Sequence, residues 1–195
     1  MSPVQRRGDS QIALDSQIRI WHRNYYERII RGAEDRERTE RYIQMNPAKL
    51  QFCIDGMAAM GNPALWGLPT LGILASGGMG DVALSRPCLS KETVLFSGCH
   101  SDIEQSLACE SRRPLIWMPA VCPDSVGFSP WQLKKMEEGN LLVLCPFEET
   151  HTTRANALAR NRLIAECCDR LWIPTARKGG SLEPFKKEYR DKLIP

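Results

Sequence analysis

Residues Thr153–Ser181 read TRANALARNRLIAECCDRLWIPTARKGGS. The stretch predicts a helix over 154–168 that carries Arg160-Asn161-Arg162, then an apolar strand over 170–174, then a Gly-Gly-Ser loop leading into a further helix over 181–192. Backbone N–H groups gathered at the start of a helix attract anions, and arginines on the preceding helix add fixed positive charge beside them. The pattern therefore points to a phosphate-binding edge of an α/β sheet.

Working upstream, near-continuous apolar runs occur at 70–76 (TLGILAS), 93–97 (TVLFS), 114–118 (PLIWM) and 141–145 (LLVLC). Runs of this kind suit strands covered on both faces, as in parallel sheets. Helical patterns at 101–112 and 129–138 alternate with them. The expected fold is α/β, a doubly wound and mostly parallel five-stranded sheet whose ligands bind beyond the carboxyl ends of the strands. The short segment between the first two strands contains Pro87, which leaves little room for a crossover helix. Trp117, Trp131 and Trp172 are expected in the core.

Residues 10–46 read as helical. Ile18, Trp21, Tyr25 and Ile29 recur at helical spacing, and Gly32 separates them from the helix-forming run DRERTERYIQM at 35–45. Asn46-Pro47 ends that pattern, because the residue before proline is pushed out of the α region. The expected organisation is a helical segment over 1–50, a linker with a short helix over 51–68 and an α/β domain over 69–195.

Composition adds bounds. The 195 residues suffice for one good core plus a small appendage, and apolar residues at 43% with charged residues at 25% are ordinary for a globular protein. No apolar run approaches the roughly 20 residues of a membrane span, and the start MSPVQRRGDSQ lacks a signal-peptide core, so the expectation is a cytoplasmic protein without a membrane partner. The eight cysteines form no CxxC pair, which favours buried free thiols over zinc or disulfides. Lys+Arg against Asp+Glu is 10 and 7 over residues 1–50, 6 and 11 over 51–153, and 10 and 5 over 154–195. Both ends can present basic surface beside an acidic middle.

Candidate ligand residues sit just after the apolar runs. Ser76, Gly77 and Gly78 form a Gly-rich turn that lets backbone approach phosphate, although it is not GxGxxG and no acidic residue follows the second strand to hold a ribose. Ser97, Gly98, His100, Ser101 and Glu104 follow the second strand. His100 and Glu104 are one helical turn apart, placed either to meet a ligand or to cap the helix. Asn161, Arg162, Lys178, Gly179, Gly180 and Ser181 complete the set, with Arg160 read as a plain salt-bridge partner. No cofactor or metal is expected.

Several of these motifs carry a resemblance. RNR followed by a strand and K-G-G-S-L resembles the end of the Rossmann domain of the DNA-processing protein A family (DprA, also called Smf). Phe96–Glu104 (FSGCHSDIE) is similar to the S-G-F-H-S-x-x-E segment of a DprA-related branch, Gly61–Leu65 (GNPAL) to its G-N-x-A-L, and Leu141–Phe147 (LLVLCPF) to its L-L-x-L-S-P-F strand. The resemblance covers residues 61–192, about two-thirds of the chain. It departs at Gly78, where that branch supplies an arginine. It implies a non-enzymatic module that binds single-stranded DNA in DNA processing and recombination, delivers it to a recombinase and can form a homodimer. Arg160, Arg162, Lys178, Arg112 and Arg113 would then track the backbone. The alternative is a nucleotide-binding or nucleotide-hydrolysing Rossmann enzyme resembling the LOG-type phosphoribohydrolases, whose P-G-G-x-G-T-x-x-E is only partly matched by Lys178–Glu183.

A second resemblance lies over residues 10–50. Trp21–Arg31 (WHRNYYERIIR) and Arg41–Pro47 (RYIQMNP) are similar to the C-terminal end of REP-associated single-tyrosine transposases, which would place a nucleophile at Tyr42. That chemistry requires a divalent metal held by a paired-histidine motif. The histidines here, His22, His100 and His151, make no such pair, so Tyr42 is expected to be inactive.

Overall fold

A computed structural model describes residues 51–76 and 87–195, together with the separate positions 32, 33 and 36. The expectations for the helices over 10–46, for Tyr42 and for Gly77 and Gly78 lie outside the described residues.

The chain forms a mixed, mostly parallel seven-stranded sheet. In chain order the strands are β1 (Phe52–Ile54), β2 (Met57–Gly61), β3 (Thr70–Ile73), β4 (Val94–Ser97), β5 (Leu115–Trp117), β6 (Leu141–Cys145) and β7 (Arg170–Trp172). Over residues 51–195 the described α-helices are α1 (Asp102–Glu110), α2 (Pro130–Glu137), α3 (Arg154–Cys167) and α4 (Glu183–Glu188). The order across the sheet is β1-β2-β6-β5-β4-β3-β7. The five expected strands are all present and mutually parallel, whereas β1 and β2 form an antiparallel hairpin that pairs with β6.

The expected count of five is therefore corrected to seven, and residues 52–61 of the expected linker belong to the sheet. Ile54 pairs with Met57, so the turn is Asp55-Gly56, with φ of 48° and 80°. Both residues of a two-residue hairpin loop with the native twist need positive φ, which Asp and Gly tolerate. The short helix that follows is a single 3-10 turn at Pro63–Gly67, capped by the Asn62 side chain, which accepts from the Ala64 N–H at 3.1 Å.

Alternate residues of each central strand enter opposite layers of core. Leu142 and Leu144 join Phe96, Ile116, Ile164, Ala165 and Phe185 on the face covered by α3 and α4. Leu141 and Val143 join Leu95, Ile103, Leu107 and Leu115 on the face covered by α1 and α2. All five residues of β6 are buried, which explains its unbroken apolar run. Trp117 and Trp172 are core residues and Trp131 packs half-buried against them. Among the described residues no helix is long and apolar enough to cross a membrane.

Topology fixes where a ligand can sit. From β3 the chain moves strand by strand to β4, β5 and β6, then returns to place β7 on the other flank of β3. The reversal makes the carboxyl ends of β3 and β7 a switch point, where the outgoing loops diverge and leave a crevice.

Candidate functional site

A cavity of about 580 Å³ opens at that crevice, within the range of sites for small ligands. It is lined from the segment after β3 by Ala75 and Ser76, from the start of α1 by His100, Ser101 and Glu104, from α3 by Arg154, Leu158, Arg160, Asn161 and Arg162, and from the loop after β7 by Gly179, Gly180 and Ser181. His100 and Gly179 thus share one edge of the sheet.

Glu104 ties two of these loops together. Its carboxylate is buried and accepts from the Ala75 N–H at 2.8 Å and, through its other oxygen, from the His100 N–H at 2.8 Å. Ser101 caps α1 by accepting from the Glu104 N–H at 3.3 Å. The acid of the His100/Glu104 pair is therefore a structural acceptor, while the His100 side chain is exposed at the cavity. Ser76 joins β3 to the loop after β7: its Oγ accepts from the Arg177 N–H at 2.8 Å and its N–H donates to the Thr175 carbonyl at 3.1 Å.

Arg160 occupies the floor. It is 3% exposed, and its Nε and Nη2 donate to Asn161 Oδ1 at 3.1 and 2.8 Å. The side chain lies directly on the backbone of Gly98, where an added Cβ would come within 2.5 Å of Nε and 2.6 Å of Cζ. Only glycine admits a guanidinium so close. Burial pulls the Arg160 pKa below its ordinary value, and the negative charge of Glu104 opposes that shift. Cys99, next along the turn, has φ of 47° and donates its N–H to the Ser97 Oγ at 3.1 Å. Burial above all, then the Glu104 charge, pushes its thiol up to about 12, leaving it protonated and unreactive at neutral pH.

Both arginines line the cavity, but at different depths from those the sequence suggests. Arg160, read as a surface ion-pair residue, is buried at the cavity, whereas Arg162 is 53% exposed at the mouth and lies 3.9 Å from Glu188. Helical spacing alone places residues 154, 158 and 162 on one stripe, and it does not say which arginine turns inward.

Other expected residues fall elsewhere. Ser97 is fully buried under the turn and does not line the cavity. Lys178 is exposed and lies outside the lining. The KGGS loop is a set of turns: the Gly180 N–H donates to the Arg177 carbonyl at 2.9 Å, the Glu183 N–H to the Gly180 carbonyl at 3.2 Å, and the Gly179 N–H to Glu183 Oε2 at 2.6 Å. The expected helix start at 181 is thus corrected to Glu183, and two of the loop's donors, the Gly179 and Gly180 N–H groups, are engaged within the chain. Arg113 donates to the carbonyls of Leu89 and Ser90 before β4, at the amino-terminal edge of the sheet and away from the cavity. Among the described residues no cluster of His, Cys, Asp or Glu is arranged to hold a metal.

No protein-family model and no curated protein matches the chain. Solved structures do. DNA processing protein A from Helicobacter pylori, described for its single-stranded DNA binding mode, aligns with a TM-score of 0.53 at 18% identity over 75% of this chain and 74% of that one. DNA processing protein A (DprA) from Streptococcus pneumoniae aligns with a TM-score of 0.50 at 19% identity over 71% of this chain and 54% of that one. The chain therefore has the Rossmann-type α/β fold of DprA.

Proposed function

We propose that the protein binds single-stranded DNA without catalysing a reaction, and that the cavity at the carboxyl ends of β3, β4 and β7 receives its backbone. The observation that carries this reading is the Arg160 guanidinium, buried on Gly98 and flanked at the mouth by Arg154 and Arg162. A buried cation is costly to maintain unless something uses it, and a phosphodiester supplies the matching charge. The description of the Helicobacter pylori protein as a single-stranded DNA binder is consistent with it.

The same geometry weighs against hydrolysis of a nucleotide. Both oxygens of Glu104, the buried acid of the cavity, hold backbone N–H groups that fix its loops. A carboxylate committed in this way is poorly placed to activate water.

Fluorescence anisotropy tests the proposal with labelled oligothymidylate, the corresponding duplex and nucleoside monophosphates over a salt series. Binding should favour the single strand and weaken with salt by roughly 0.7 logarithmic units per phosphate neutralised. Arg154→Ala and Arg162→Ala should each remove about one such contact. Tight, salt-insensitive binding of a nucleoside monophosphate, with release of base or phosphate, would move the assignment to a nucleotide-processing enzyme.

A further inference from the structure

One of the cavity's exposed cations is already engaged by the protein's own acid. Arg162 on α3 and Glu188 at the end of α4 both line the cavity, and Arg162 Nη2 lies 3.9 Å from Glu188 Oε2. Their side chains are 53% and 47% exposed, so each is free to turn to another partner. Solvent-exposed pairs of this kind are weak and readily exchanged. Arg160 differs, since it is buried and held by Asn161.

We propose that Glu188 is an internal competitor for Arg162: its carboxylate occupies the place of a ligand phosphate and must be displaced before the guanidinium can take one. The inference rests on the reading of the cavity as a single-stranded DNA site and adds a determinant of its affinity. On this account Arg160 is the permanent anchor and Arg162 a conditional contact. The acid lowers affinity for any polyanion and restricts binding to ligands that hold more than one point of the cavity at once. Replacing Glu188 by its neutral isostere removes the competitor and leaves the helix and its packing in place, because the buried member of α4 is Phe185.

Five proteins separate the possibilities: the wild type, Glu188→Gln, Arg162→Ala, the Arg162→Ala/Glu188→Gln double variant, and Glu166→Gln. Glu166 lies one turn beyond Arg162 on α3, is exposed and does not line the cavity, so it controls for loss of any nearby negative charge. Affinity for labelled oligothymidylate is measured from low to moderate salt. Glu188→Gln should bind about three- to tenfold more tightly at low salt, with a logarithmic salt slope steeper by about 0.7, one further phosphate contact. Arg162→Ala should bind more weakly, and in its background Glu188→Gln should give no gain. Glu166→Gln should match the wild type. An equal gain from Glu188→Gln with and without Arg162, or an equal gain from Glu166→Gln, overturns competition in favour of general repulsion. Weakening by Arg162→Ala with no gain from Glu188→Gln overturns the inference alone and leaves the DNA site standing. Absence of binding by all five overturns the proposed function and the inference with it.

Discussion

Gly98 and Arg160 determine each other. A methyl group at residue 98 would sit 2.5–2.8 Å from Nε, Cζ and Cδ of Arg160, and the buried guanidinium would have to leave its place. Gly98→Ala should destabilise the fold by about 1–3 kcal/mol, the usual range for overpacking, and weaken oligothymidylate binding at least as much as Arg162→Ala. Thermal melting and anisotropy check the two parts separately. Gly98 was legible in the sequence as part of a motif after an apolar run. The inward position of Arg160 was not, because two arginines two residues apart lie on different sides of a helix and only the sheet beneath decides which is covered.

Thiols give a second test at this scale. Burial pushes Cys99 and Cys145 up to about 12 and Cys168 to about 11, from an ordinary 9.0. Iodoacetamide at pH 8 should modify the exposed Cys53, Cys88 and Cys109 and spare these three in the native protein, as mass spectrometry would show. Each raised thiol is a proton that the folded chain holds more tightly than the unfolded one. Its stabilisation is complete below pH 9 and is lost as pH climbs through 11 to 12. Denaturant midpoints should therefore fall across that window.

Among the elements, the β1–β2 hairpin is where sequence reading and structure part. Asp55-Gly56 is a strong turn signal. Its flanks, Phe52–Ile54 and Met57–Gly61, are short, and the second is made of Ala, Gly and Met alone, so the stretch reads as a linker. The hairpin gains its place by pairing with β6, a long-range contact no local pattern reports. Gly61 ends β2 with φ of 97°, and a Cβ there would lie 2.3 Å from the Leu141 carbonyl oxygen. Gly61→Ala should cost about 2–4 kcal/mol, combining backbone strain with steric overlap. Urea unfolding would measure it. By contrast α3 was legible at both ends, its start through the local cap Thr153, while the contact that closes its other end is again long-range. Thr153 accepts from the Asn156 N–H at 3.1 Å, and the Lys192 ammonium donates to the carbonyls of Ala165, Glu166 and Cys168 at 3.1, 2.6 and 2.8 Å. Thr153→Ala should lower stability by about 1 kcal/mol, as loss of such a cap does.

At the scale of the whole molecule, alternation of apolar runs and helical patterns revealed the parallel core and the edge at which the cavity opens. It could not reveal strand order, which depends on how the connections cross the sheet. That order has a consequence in time. Thr70 and Asp169 are 99 residues apart in the chain, and Ser76 and Arg177 are 101 apart, yet each pair is hydrogen-bonded. On a ribosome, β3 can pair with β4 early, but its other edge stays open until β7 has been made. During that interval a nascent chain presents an unpaired strand of four buried-type residues, Thr70–Ile73, the kind of edge that recruits other strands. A translational stall between residues 145 and 170 should therefore yield an aggregation-prone intermediate with no ligand site, and the site should arise in a single late step when β7 docks.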